Sequence, residues 1–153
     1  MGHVVEWRNK HREGLRTPGF TTDEQQAAFY RDVICNPTSP HRYWCVLGRG
    51  GQFQAMVGLT YISWENGSAE ISLITDGRGG VGQKAVRLVL EEAFYRMRLL
   101  TVYGEVYHAN PAKEFWDKMV AGFHGAAVIL PRRKFWDGHL HDSTYFYFKR
   151  EDW

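Results

Sequence analysis

The sequence predicts an α/β fold, one domain over residues 1–153, with a mixed and mostly antiparallel sheet flanked by helices. Three observations carry that expectation. Gln52 to Ser63 alternates apolar and polar residues, Glu65-Asn66-Gly67 signals a hairpin, and Ala69 to Thr75 returns antiparallel. Asp76 to Ala85, read DGRGGVGQKA, is a glycine-dense turn between the strand-like Ile71 to Thr75 and a run with helical spacing. The full order, after a helical N-terminal region, is β-β-β-α-β-α-β-β.

Each element has a local reason. Thr21 or Thr22 caps a helix that runs through Phe29, Tyr30 and Val33 and stops before Asn36-Pro37. Pro37 to Pro40 reads as a loop, and Tyr43 to Leu47 as a short strand ended by Gly48 to Gly51. In the long strand, Phe53, Ala55, Val57, Leu59 and Tyr61 are expected on one face. From Val81 to about Arg98, an apolar stripe of Val81, Ala85, Leu88, Val89, Ala93 and Met97 predicts an amphipathic helix. Thr101 to Tyr107 is rich in β-formers. Asn110 reads as a helix cap, Pro111 as the first helical residue and Gly122 as the end. Phe123 to Leu130 and His141 to Lys149 read as the last two strands, with a turn at Asp137-Gly138.

Composition narrows the function classes. At 153 residues the chain is long enough to bury a core without staples. No apolar run reaches membrane-spanning length, and Glu6, Arg8 and Lys10 break any signal-peptide core, so a soluble cytoplasmic protein is expected. A net charge of +2 gives no strong nucleic-acid signal. Basic residues from Arg8 to Arg16, and Arg132-Arg133-Lys134, read as solvated faces and loop rims, or as a rim attracting a phosphate-bearing ligand. Cys35 and Cys45 have neither metal nor redox spacing, which fits a reducing compartment. His139 and His141 lack further ligands, so they read as loop residues and no metal is expected.

A glycine-rich turn opening a helix presents unpaired N–H groups and the positive end of the helix dipole, which suits phosphate. Gly77, Gly79 and Gly82 spell the dinucleotide pattern GxGxxG, but half the chain lies upstream and reads as an antiparallel hairpin. The P-loop pattern fails by one register, because Gln83 stands where its lysine belongs and Ala85 follows Lys84. A third pattern, [QR]xxGx[GA], places its glycines at Gly80 and Gly82, with Gly77 where glutamine or arginine is expected.

That third pattern is the pyrophosphate loop of the GNAT N-acetyltransferases, and other segments resemble the family in the right order. Trp7-Arg8-Asn9, Leu15 to Pro18 and Thr22 to Gln26 resemble the opening of its RimJ/RimL-like and amino-sugar acetyltransferase branches. Asn110-Pro111-Ala112, Phe115 to Lys118 and Gly122-Phe123 resemble its N…(F/L)YxKxGF segment. Asp137 to Asp142 and Glu151-Asp152-Trp153 resemble that branch's closing residues.

The resemblance implies acetyl-CoA as cofactor and transfer of its acetyl group to a primary amine by direct attack on the thioester. The amine belongs to an amino sugar, a protein N-terminus or a small metabolite; the implied enzyme is a monomer or homodimer with no membrane partner. It implies that Arg78, Gly79, Gly80, Val81, Gly82, Gln83 and Lys84 hold the pyrophosphate, and that Leu73, Ile74 and Thr75 line the pantetheine arm. Asn110, Phe115 and Trp116 fall on the cofactor side. Glu70 matches the family's acidic position and is the expected base, while Trp7, Arg8, Asn9 and Arg12 are expected around the acceptor. Trp116 replaces the tyrosine that commonly protonates the thiolate, and an indole N–H does not supply a proton. Either another group serves, with Tyr107 and His108 as the candidates, or the thiolate leaves unassisted, as its modest basicity allows. The same departure motivates an alternative, a non-catalytic acyl-CoA-binding module.

Overall fold

The computed structural model describes residues 2–75, 77 and 79–153. Six strands form one sheet: β1 (Arg42–Leu47), β2 (Phe53–Ser63), β3 (Ser68–Thr75), β4 (Thr101–Tyr107), β5 (Ala126–Trp136) and β6 (His139–Lys149). Their spatial order is β1-β2-β3-β4-β6-β5, and every neighbouring pair is antiparallel except β3–β4. The helices are α1 (Gly2–Lys10), α2 (Asp23–Phe29), α3 (Val81–Glu91) and α4 (Lys113–Gly122). A π-helical turn extends α2 over Tyr30–Ile34 and α3 over Glu92–Arg96.

Thr22 caps α2 in a capping box: its hydroxyl accepts from Gln25 N at 3.2 Å, and Gln25 Oε1 accepts from Thr22 N at 2.9 Å. The core lies between the sheet and α3, where Ala85, Val86, Val89, Leu90, Ala93 and Phe94 pack on Val57, Leu59, Ile71, Val102 and Phe146. Burial follows i, i+1, i+4, i+5, so Val86, Leu90 and Phe94 join the stripe and the expected Leu88 faces solvent.

Other expectations are corrected by backbone irregularity. The β2–β3 register shifts between Thr60 and Ser63, and Tyr61 takes φ +51°. That bulge turns Tyr61 outward and puts Thr60 and Ile62 inside, ending the alternation that Phe53, Ala55, Val57 and Leu59 begin. β5 reaches Trp136, so Arg132, Arg133 and Lys134 are strand residues rather than loop rim, and His139 and His141 belong to β6. Asn110 stands before α4 in its own turn, accepting from Ala112 N at 2.8 Å, and the helix begins at Lys113.

The feature that makes a site is a fork. β3 pairs with β4 only at Ser68–Thr101, Ala69–Val102 and Glu70–Tyr103. Beyond Glu70, β3 continues to Thr75 beside β2 and β4 to Tyr107 beside β6, with no bond between them. Trp116 of α4 stacks on Phe146 at 4.8 Å, and Gly104 leaves room for that ring, since a Cβ there would meet Phe146 Cζ at 2.5 Å.

Candidate active site

A cleft of about 640 Å³ occupies the fork. One bank is Ser72, Leu73, Ile74 and Thr75 of β3; the other is Asn110, Phe115 and Trp116. These β3 residues pair with β2 on one edge only, so the backbone N–H and C=O groups of the other edge stay available to an extended ligand. Thr75 leads into the glycine turn, where Gly77, Gly79 and Gly80 take φ of +77°, +60° and +70°. Only glycine adopts such angles without strain, and a Cβ at any of the three would meet nothing within 4 Å, so the turn faces open space. Gly80 precedes α3 without a side-chain cap, leaving the first N–H groups of Val81, Gly82 and Gln83 without one. Gly82 is different: it is buried, and a Cβ would lie 3.2 Å from Phe115 Cε2. It packs α3 against α4, so a bulky residue there disturbs the fold itself. The assignment of Arg78 lies outside the described residues.

A second cavity, beside the cleft, is built from side chains. Glu70, Tyr103 and Glu105 line a cavity of about 450 Å³ with Arg16, Tyr61 and Tyr145. Ser72, the next residue on Glu70's face of β3, lines the main cleft. Arg16 Nη2 donates to Glu70 Oε1 at 2.5 Å. Burial opposes the charge on Arg16, but the ion pair with Glu70 outweighs it and raises the guanidinium above its ordinary pKa, with Tyr107's hydroxyl adding to the effect. Burial raises the Tyr103 and Tyr145 phenols, and the negative charge of Glu70 adds to both. Glu105 accepts from Ser143 Oγ at 2.6 Å and Arg133 Nε at 3.1 Å. Burial pushes its carboxyl up, yet these bonds hold it below the usual range.

Several expected residues meet at the fork: Trp7 and Arg8 line the cleft with Leu73, Ile74, Thr75, Asn110, Phe115 and Trp116. Asn9 and Arg12 do not line it. Asn9 brackets Thr21, donating to its carbonyl at 2.9 Å and accepting from its N–H at 2.8 Å. Arg12 donates to Pro18 O at 2.6 Å and lies over the Phe20 ring, so both shape the N-terminal loop. His108 bonds Thr144 Oγ1 at 3.0 Å, outside the cleft. Sequence reasoning missed His11, which lines the cleft 3.5 Å from Glu13, and missed Arg16, Tyr103 and Glu105. Tyr103, Glu105 and Tyr107 recur every second residue on one face of β4, a signal present in the sequence.

A parallel strand pair that splays over a glycine turn and a helix N-terminus agrees with the family model described as "Acetyltransferase (GNAT) domain", which matches residues 2–114. This chain belongs to the GNAT acetyltransferase family. No curated protein matches the sequence. Among solved structures, spermidine N-acetyltransferase from Vibrio cholerae in complex with CoA and spermine is similar with a TM-score of 0.84 at 16% identity. That similarity covers 99% of this chain and 90% of the other. The spermidine/spermine N-acetyltransferase SpeG of the same organism, with manganese ions, gives 0.73 at 17% identity, covering 99% and 89%. As a GNAT protein the chain is an acetyl-CoA-dependent N-acetyltransferase, and its fork is the family's fold rendered in these residues.

Proposed function

We propose that this enzyme acetylates the primary amine of a small cationic metabolite, with Glu70 as the base. The observation that carries the reading is the place of Glu70, at the last paired position of the fork and two residues from the cleft wall. Acetyl-CoA, when bound, supplies an acetyl group already activated as a thioester. The turn at Gly79 and Gly80, with Val81, Gly82, Gln83 and Lys84, offers backbone N–H groups and one ammonium to its phosphates. Arg78 joins them on the strength of the sequence pattern alone. Leu73, Ile74 and Thr75, paired with β2 on one edge only, offer the other edge of their strand to the pantetheine arm, opposite Asn110, Phe115 and Trp116.

The acceptor arrives as an ammonium and must lose a proton before its nitrogen has a lone pair to give. Glu70, paired with Arg16, takes that proton directly or through one water. The new C–N bond forms as the C–S bond breaks, and the sulfur gains a proton. Tyr107, beside Arg16 on the acceptor face, is preferred to His108 for that last transfer because His108 is engaged with Thr144.

The motif order supports a RimJ/RimL-like or amino-sugar branch, whereas the cavity lined by Tyr61, Tyr103 and Tyr145 with two carboxylates suits a polyamine, the ligand in the similar Vibrio cholerae complex. The free, exposed thiols of Cys35 and Cys45 fit a cytoplasmic enzyme, monomeric or homodimeric. The test is calorimetric titration with acetyl-CoA, using NAD and ATP as controls, followed by turnover with spermidine, spermine, glucosamine and a short peptide. Micromolar binding of acetyl-CoA alone, with turnover of at least one amine, is expected. Binding without turnover of any amine contradicts the proposed acceptor class.

A further inference from the structure

Lys134 is a buried lysine, 7% exposed, placed on β5 where the register to β6 shifts after Leu130. Its ammonium donates to Glu13 O at 2.6 Å and to Leu15 O at 2.5 Å. It also lies 5.0 Å from the Tyr107 ring centre and 5.4 Å from that of Trp136. Burying a charge is costly, and two charge-assisted hydrogen bonds with two aromatic faces offset that cost. Between the two captured carbonyls, Gly14 O accepts from Asn110 Nδ2 at 3.3 Å. Three consecutive carbonyls of the N-terminal turn are thus held by side chains from distant segments. The next residue is Arg16, the partner of Glu70. The carbonyl of Leu15 and the N–H of Arg16 belong to one rigid peptide plane. Fixing that carbonyl fixes the base from which the Arg16 side chain reaches Glu70.

We infer that Lys134 is a positioning residue for acetyl transfer, holding the N-terminal turn so that Arg16 stays on Glu70. The inference rests on the proposed role of Glu70. It acts through geometry alone: no proton or bond changes at Lys134. The test compares Lys134→Met, Arg16→Met, the double variant and Glu70→Gln, measuring kcat, amine KM, acetyl-CoA Kd and Tm.

Lys134→Met is expected to lower kcat about tenfold, the scale of a small misplacement near reacting groups, with acetyl-CoA Kd within about twofold. In the Arg16→Met background the same change should leave kcat where it was. An equal loss of kcat in both backgrounds, or a lower Tm with wild-type kcat, overturns the inference. If Lys134→Met does not fold, Lys134→Gln keeps two donors for the carbonyls, and the same non-additivity is expected at smaller amplitude. Wild-type rates in Glu70→Gln and Arg16→Met sink the Glu70 reading and this inference with it. Slow single variants with additive losses sink the inference alone.

Discussion

The two sides of the fork are made by different means. The proposed cofactor side is backbone: a stretch of β3 paired on one edge only, three glycines at positive φ and the uncapped start of α3, all within residues 71–84. The proposed acceptor side is side chain: Arg16, Tyr61, Glu70, Tyr103, Glu105 and Tyr145 line one cavity, with Tyr107 beside Arg16 and Lys134 bonded to the turn before it. A phosphate asks for N–H groups at fixed spacing, which a short local turn supplies. Recognising one amine among many asks for particular charges and shapes, which only tertiary packing brings together.

That contrast can be broken first at the base. Glu70→Gln is expected to lower kcat by about 10²–10⁴ while acetyl-CoA affinity, read by calorimetry, stays unchanged. A parallel loss of cofactor binding would merge the two sides. Conversely, Gly80→Val should act on the cofactor side. Forcing a β-branched residue to φ +70° costs roughly 1–2 kcal/mol, and acetyl-CoA Kd should rise about tenfold. Amine KM at saturating acetyl-CoA should hold. Removing one hydroxyl by Tyr107→Phe is expected to lower kcat several-fold to about tenfold. An unchanged kcat would return the proton transfer to solvent.

The smallest effect concerns stability rather than rate. Glu105 has its folded pKa depressed below the unfolded value, so its stabilisation is present above about pH 4.3 and is lost as pH falls through the lower folded value. Ser143→Ala removes one of the bonds responsible. Its Tm should sit a few degrees below wild type at neutral pH, and the gap should narrow as the pH falls and Glu105 protonates in both proteins.

What the sequence disclosed follows the same division. The glycine turn, the hairpin before it and the order of strands and helices were legible because each depends on residues adjacent in the chain. Glu70 was legible through its place on the strand entering that turn. Arg16 was not, because nothing in Leu15-Arg16-Thr17 indicates that a residue 54 positions away will receive its guanidinium. Lys134 read as one of three surface cations, yet the β5 bulge turns it inward while Arg132 and Arg133 stay exposed. Leu88 and Tyr61 were misplaced for related reasons, a stripe rotated by one residue and a bulge that reverses strand parity.

The bond from Lys134 to Glu13 closes a loop of 121 residues. No nascent chain can make it until β5 has left the ribosome and paired with β6. The turn of residues 13–15, among the first to be synthesised, therefore waits for one of the last strands before it is locked. The β2–β3 pairing that leads into the glycine turn lies wholly upstream of Lys134. A partly synthesised chain thus carries its β2–β3 hairpin while the lysine that locks the N-terminal turn is still missing.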